Sequence, residues 1–317
     1  MAIAMKHSAS NGEAKTKQAV KVPDKPNMAR QYTVIIPTLN AADRIERLIE
    51  TLLMQSVLPE EIVVVDSQSE DGTLERAQSY ERVRTATVER NTFDHGGTRD
   101  MAIRACDVPF VVLLTQDALP MDAHCMESLL SAFDDETVAA ACGRQIAYPD
   151  AREAEKLVRS FRYPDESRVW SAEDIPKLGI RAYLLSDVCA AYRRSAYEKV
   201  GGFEHPILTN EDMLIAADFL RAGYRLAYCS EARVWHSHNN TLQQEYERNR
   251  KIGRFLARYG DRFSDSGELG EGARMVREIS IGLLKRGKIG EWIAFGANCA
   301  ARMLGNFAGK RQEKAHE

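Results

Sequence analysis

Between residues 32 and 115 the chain alternates short, almost unbroken apolar runs with segments of helical period, and few folds accept that rhythm. Tyr32-Thr-Val-Ile-Ile-Pro37, Glu61-Ile-Val-Val-Val-Asp66, Val83–Glu89 and Val108–Thr115 read as strands. Between the first two, Ile45, Leu48, Ile49, Leu52 and Leu53 recur at helical spacing, with Asn40 or Asp43 placed to cap. A turn at Ser69–Thr73 leads into a helix reaching about Tyr80, and Thr98–Ala105 reads as another. A strand that is apolar along its whole length has both faces covered, and strict β–α alternation makes its neighbours parallel. The expectation is an α/β fold: a doubly wound, mostly parallel sheet with helices on both faces.

The rhythm continues through a helix near Met121–Phe133 and a strand at Val138–Ile146, then breaks. Residues 147–185 are charged and aromatic without a clear period. Asp187–Arg193 reads as a strand, Ser195–Val200 as a short helix, Glu211–Arg221 as a helix closed by Ala222-Gly223, and Arg225–Cys229 as a strand. From Thr241 onward the pattern is helical. The expected organisation is therefore a flexible tail over 1–30, an α/β domain over 31–240 and a C-terminal helical extension over 241–317.

Charge distribution narrows the function classes. The net charge of −3 hides basic ends: residues 1–30 and 285–317 each sum to +4, which leaves the body near −11. An acidic body argues against broad nucleic-acid binding, which needs a basic face, whereas a basic end suits an anionic membrane surface. The six cysteines show no CxxC spacing, so zinc ribbons and redox pairs are not expected and buried thiols are. The first thirty residues hold no apolar h-region and no uncharged apolar run has spanning length, so a cytoplasmic chain is expected.

In open α/β sheets ligands bind beyond the carboxyl ends of the strands. Those ends read Pro37-Thr38-Leu39-Asn40, Asp66-Ser67-Gln68-Ser69 and Thr115-Gln116-Asp117. None carries GxGxxG, and neither GxxxxGK[ST] nor GxSxG occurs anywhere in the chain, which disfavours dinucleotide oxidoreductases, P-loop ATPases and serine hydrolases. Carboxylates remain. Asp66 can accept from the imide N–H of uracil or thymine, and Asp117 can hold a hard cation, Mg²⁺ or Mn²⁺, against a diphosphate. Taken singly, each is also an ordinary turn former or cap.

In order along the chain, IIPTLN (35–40), VVVDSQSEDGT (63–73), FDHGGTRD (93–100), LLTQDALP (113–120), VGGF (200–203) and NEDMLIAADFLRAGY (210–224) resemble the inverting glycosyltransferase family 2, with the GT-A fold. HGGTR and TQDALP are most similar to bacterial rhamnosyltransferases that use dTDP-β-L-rhamnose. The resemblance covers roughly residues 32–260. It implies that Pro37, Thr38 and Asn40 flank the nucleotide, Asp66 contacts the base with Ser67 and Ser69 in the following loop, and Phe93, His95, Gly96, Gly97 and Arg99 form a donor loop. In that loop the glycines would let the backbone approach the ligand and Arg99 would pair with a phosphate. Gln116 and Asp117 stand where the wider family has Asp-x-Asp or Asp-Asp, so Thr115 and Gln116 replace the first acid and Asp117 alone is anionic there.

Glu211-Asp212 matches the family's acidic pair at a helix start, with Asp212 as the implied general base. Carboxylate neighbours raise such a pKa and a helix N-terminus lowers it, and adjacent helical residues point about 100° apart, so the two acids have different jobs. His236 and His238, if extended, face one side; the resemblance favours His236 as metal ligand or phosphate contact, with His238 a further candidate. Trp170 and Tyr163 can stack on an acceptor sugar or simply pack.

The function implied is transfer of L-rhamnose from dTDP-β-L-rhamnose, with a divalent metal, to a cell-surface glycan or its lipid-linked precursor. A UDP-hexose transferase and a non-catalytic nucleotide-sugar-binding scaffold are the alternatives. Ile289, Trp292, Ile293, Met303, Leu304 and Phe307 lie near helical spacing among basic residues, as in a helix that lies in a membrane interface, packs on the body or pairs in a homodimer.

Overall fold

The computed structural model describes residues 30–266 and 270–315; nearly all of the expected N-terminal tail lies outside the described residues. Four strands, β1 (Tyr32–Thr38), β2 (Glu61–Asp66), β3 (Val83–Thr87) and β4 (Phe110–Leu114), alternate with α1 (Ile45–Leu53), α2 (Thr73–Gln78) and α3 (His95–Arg104). They pair in parallel in the order β3-β2-β1-β4. Side chains alternate across this sheet: Val34 and Ile36 enter one buried cluster and Ile35 the other, so β1, β2 and β4 are apolar nearly throughout because both faces are covered, whereas the edge strand β3 is half-exposed and mixed in sequence.

The chain continues through β5 (Leu119–Pro120), α4 (Cys125–Leu130), β6 (Val138–Ile146), α5 (Glu153–Arg162), β7 (Arg168–Trp170), α6 (Ile175–Leu178), β8 (Cys189–Arg193), α7 (Arg194–Lys199), α8 (Glu211–Arg221) and β9 (Arg225–Trp235). The nine-stranded sheet runs β3-β2-β1-β4-β8-β6-β9-β5, with β7 beside β9. β8 is antiparallel to both β4 and β6, whereas β6 and β9 are parallel. The fold is the expected mostly parallel, helix-covered sheet. β9 extends to Trp235, well past Cys229, and so carries the two histidines to the same edge of the sheet as β4.

Two helix starts differ from the sequence expectation. Neither Asn40 nor Asp43 caps α1: Asn40 Oδ1 accepts from the Glu70 N–H at 3.0 Å, and Asp43 pairs with Arg44 at 2.7 Å. α3 begins at His95 rather than Thr98, because the Asp94 carboxylate accepts from the Gly97 N–H at 2.5 Å and caps the helix. All six cysteines are free and five are buried.

Three helices close the chain: α9 (Leu242–Tyr259), α10 (Gly270–Lys285) and α11 (Ile289–Lys314). A small cluster of Val158, Ile279, Leu283 and Phe295 fastens α10 and α11 to α5. α9 and α11 approach so closely that a Cβ on Gly253 would lie 2.1 Å from the Asn306 carbonyl oxygen. The ion pairs Arg254–Glu313 and Arg302–Glu245, each 2.8 Å, border this contact.

Candidate active site

The ends of β1 and β2 are in register at Thr38 and Asp66. Asp66 is 1% exposed and organises the loops beyond them. It accepts from Thr38 Oγ1 at 3.1 Å, from Ser69 N at 2.8 Å and from Ser69 Oγ at 2.6 Å. Ser69 Oγ accepts in turn from the Asn40 N–H at 2.8 Å, and the Ser67 N–H reaches the Thr38 carbonyl at 2.9 Å. Asn40 is in the left-handed region at φ 49°, a conformation asparagine tolerates better than most residues. Gln116 clamps the Leu39 peptide from both sides: its Oε1 accepts from the N–H at 2.8 Å and its Nε2 donates to the carbonyl at 3.1 Å. Thr38, Leu39, Asn40, Asp66, Ser67, Ser69 and Gln116 thus form one hydrogen-bonded rim at the carboxyl end of the parallel strands, with Pro37 just below it in β1, opposite Val65.

One element further along this edge, Asp117 follows β4, and His236 and His238 follow β9. Their nearest ligand atoms all lie within 4.8 Å of one another. His236 Nε2 and His238 Nε2 stand 3.6 Å from the two oxygens of Asp117. Burial opposes the charge on Asp117, but hydrogen bonding to His236, together with the charges of His236 and His238, outweighs it and holds the carboxyl well below the usual carboxylate range. Gln145 Oε1, at the end of β6, lies 2.8 Å from His236 Nδ1. Because that oxygen is an acceptor, Nδ1 carries a proton, and Nε2 is the nitrogen left to face Asp117 or, once it gives up its own proton, to ligate a metal. Two imidazoles and a carboxylate, one imidazole oriented from behind, fit a divalent transition metal better than Mg²⁺, which favours an all-oxygen shell. The second histidine answers the missing first acid at Thr115.

The second centre gathers around Arg99, which α3 carries inward to 5% exposure. Its Nη1 lies 3.1 Å from Glu211 Oε1 and donates to the His95 carbonyl at 3.1 Å, while its Nε is 3.5 Å from Asp187 Oδ2. The expected phosphate contact is therefore not what this geometry holds: the guanidinium neutralises buried carboxylates. Nor do the donor-loop glycines open a path to a ligand. A Cβ on Gly96 would sit 2.1 Å from the Glu204 carbonyl oxygen, so Gly96 permits packing of α3 against the 204–207 segment, and the N-terminus of α3 is occupied by Asp94. His95 is packed edge-on against Phe93, centroids 5.0 Å apart, and burial lowers its pKa. Phe93 lines a separate cavity of about 430 Å³ with Pro206, Phe255 and Tyr259.

The acidic pair divides as adjacent helical positions must. Glu211 turns inward to Arg99, whereas Asp212 lies half-buried on the wall of a cavity of about 180 Å³. Burial, then Asp187 and Glu211, push the Asp212 carboxyl well above its ordinary pKa; the Met213 N–H at 2.8 Å, the contribution of the helix start, does not offset them. Asp187, held by the Tyr192 hydroxyl, is itself pushed up to about 7, by burial first, with Glu211 adding to it and Arg99 opposing. A carboxylate with a raised pKa is a stronger base toward a hydroxyl.

Tyr163 and Trp170 line the same cavity, although Trp170 is 5% exposed and its indole N–H is taken by the Ala182 carbonyl at 2.8 Å. A second cavity of about 240 Å³ holds His236, His238 and Gln145, and its wall shares Arg162, Tyr163, Ser186 and Arg248 with the first. Arg162 and Arg248 are open to solvent there, and neither makes an ion pair among the described residues. Sequence reasoning missed Asp187, Gln145, Arg162 and Arg248. Of these only Gln145 carried a usable signal, as a polar residue near the carboxyl end of a strand.

Comparison with known proteins adds the family. The sequence model described as Glycosyl transferase family 2 matches residues 33–201. The O-antigen chain rhamnosyltransferase RfbN of Salmonella typhimurium is 39% identical over 258 residues, covering 80% of this chain and 82% of its own. WbaN of Salmonella anatum, also an O-antigen chain rhamnosyltransferase, is 41% identical over 258 residues, covering 80% and 81%. Among solved structures, the mannosyltransferase PcManGT from Pyrobaculum calidifontis, in complex with GDP-Man and Mn²⁺, superposes with a TM-score of 0.60 at 19% identity, covering 94% of this chain and 92% of its own. That likeness extends to the fold.

Proposed function

The chain belongs to glycosyl transferase family 2, and from that premise we propose that it moves L-rhamnose from dTDP-β-L-rhamnose, with inversion, to a hydroxyl of a growing O-antigen-type glycan or its lipid-linked precursor. The observation that carries the reading is the shared wall: a basic carboxylate, Asp212, and the two histidines of the metal-competent cluster Asp117–His236–His238 open onto adjoining cavities separated by Arg162, Tyr163, Ser186 and Arg248. The rhamnosyl donor rests on the relatives' names and on the HGGTR and TQDALP motifs.

In this reading the rim around Asp66 seats the nucleotide. Asp212 takes the proton of the acceptor hydroxyl as its oxygen bonds to the anomeric carbon; the bond from that carbon to the diphosphate oxygen breaks, and the electron pair leaves with the nucleoside diphosphate. Direct displacement from the opposite face inverts the centre. Arg162 and Arg248, which stand on the wall shared by the two cavities and make no ion pair among the described residues, hold the departing diphosphate in the role expected of Arg99. Arg99 instead keeps Glu211 and Asp187 in place behind the base. A divalent cation, Mn²⁺ in preference to Mg²⁺, held by Asp117, His236 and His238, supplies charge stabilisation to the diphosphate when bound. Tyr163 and Trp170 line the acceptor side.

Calorimetry of dTDP-β-L-rhamnose, UDP-glucose and dTDP, each with Mn²⁺ and with chelator, tests the donor. Metal-dependent preference for dTDP-β-L-rhamnose is expected. Equal, metal-independent binding of all three, or preference for UDP-glucose, would reject this donor.

A further inference from the structure

α11 presents two unlike faces. One packs against α9 so tightly that glycine is needed: a Cβ on Gly305 would lie 2.3 Å from the Tyr246 carbonyl oxygen, and one on Gly309 2.0 Å from that of Arg250. The opposite face is apolar and open. Ile289 is 59% exposed, Ile293 63%, Met303 74%, Leu304 63% and Phe307 67%, with Trp292 at 40%. At about 100° per residue these six fall within an arc of about 120°, and at about 1.5 Å rise they run for about 27 Å.

Between Ile289 and Phe307 no exposed position is charged. Glu291 and Arg302 turn toward the body, where Glu291 accepts from the Ala154 N–H at 3.2 Å and Arg302 pairs with Glu245 at 2.8 Å. Exposed basic residues stand at both ends: Lys285, Arg286 and Lys288 before the stripe, Lys310, Arg311 and Lys314 after it. A continuous apolar strip on an outer helix is not an ordinary monomer surface.

We propose that this face of α11 lies flat in the interface of an anionic phospholipid bilayer, with the apolar stripe among the acyl chains and the terminal Lys and Arg side chains at the headgroups. The distribution of charge selects this occupant over a second copy of the chain. Antiparallel pairing of two α11 helices sets the basic start of one over the basic end of the other, and parallel pairing sets like ends together, so either arrangement juxtaposes cations. An anionic leaflet accepts both ends at once, and long basic side chains reach its headgroups while their stems cover apolar surface. No helix among the described residues is long and apolar enough to cross a membrane, so the contact is peripheral.

The test is co-sedimentation of the full chain with vesicles of phosphatidylethanolamine and phosphatidylglycerol, against pure phosphatidylcholine vesicles. Binding to the anionic vesicles is expected, weakening about fivefold for each charge removed in a Lys310→Gln, Arg311→Gln, Lys314→Gln series. Ile293→Glu with Phe307→Glu is expected to abolish it while Tm and nucleotide-sugar binding stay at wild-type values, which separates this proposal from the glycosyl-transfer reading. Absence of vesicle binding, equal binding to both vesicle types, or a dimer in light scattering that the two Glu substitutions dissociate would overturn it.

Discussion

Arg99→Met separates a structural guanidinium from a phosphate-binding one. In the folded chain Arg99 is 5% exposed and faces Glu211 at 3.1 Å and Asp187 at 3.5 Å. Removing one partner of a buried ionic group costs about 3–5 kcal/mol, because the remaining charges stay desolvated and unpaired. At about 2.1 cal/mol/K of unfolding entropy per residue, that is a fall in Tm of about 5–8 °C for a chain of this size. The loss also depends on pH. The folded Asp187 carboxyl titrates at about 7, above the usual value near 3.9. The folded state therefore retains a proton that the unfolded chain gives up, and the stability Asp187 contributes falls as pH rises from about 4 through 7. Taking away Arg99, which opposes that upward shift, raises the folded pKa further. At pH 5.5 Asp187 then stays protonated and the variant loses less; at pH 8 ionisation is costly and it loses more. Thermal unfolding followed by circular dichroism at the two pH values reads both effects. A variant with wild-type Tm at pH 8 that has lost dTDP affinity would refute the reasoning and restore Arg99 to the phosphate.

Gly96→Ala places a Cβ 2.1 Å from the Glu204 carbonyl oxygen; a loss of about 1–3 kcal/mol is expected from the denaturant midpoint, with donor affinity of the folded protein unchanged. Gln145→Met removes the acceptor behind His236 Nδ1, and Mn²⁺ affinity measured by titration is expected to fall about 10–100-fold, with transfer recovered at saturating metal. Gly309→Ala sets a Cβ 2.0 Å from the Arg250 carbonyl oxygen; amide exchange along α9 and α11 is expected to quicken while that of β1, β2 and β4 does not.

Much of this site was legible because it sits where general rules put it. The apolar runs ending at Thr38 and Asp66 are strands buried on both faces, and their polar ends form the hydrogen-bonded rim proposed to seat the nucleotide. The alternation in Val234–His238 sends His236 and His238 to one side, where Asp117 meets them. The divergence of Glu211 and Asp212 follows from helical geometry alone. What stayed hidden depends on tertiary partners. HGGTR looks like a ligand loop because its glycines are poor helix formers, yet Asp94 caps the helix they open and the Glu204 carbonyl demands the missing Cβ. Nothing local marks Asp187 as the neighbour of Arg99. α5 does carry a helical period, Ala154, Leu157, Val158 and Phe161 at i, i+3, i+4 and i+7, but it is only ten residues long and set in the charged, aromatic stretch 147–185, which reads as irregular.

The central claim, that Asp212 is the base of a glycosyl transfer while the nucleotide site is built elsewhere, is tested most directly by Asp212→Asn assayed for rhamnosyl transfer and for dTDP-β-L-rhamnose affinity on the same preparation. The account predicts transfer reduced at least about 100-fold with donor affinity retained, and Tm at pH 8 equal to or above wild type, because a carboxylate with a raised pKa is removed. Transfer near the wild-type rate, or equal loss of transfer and donor binding, would contradict it.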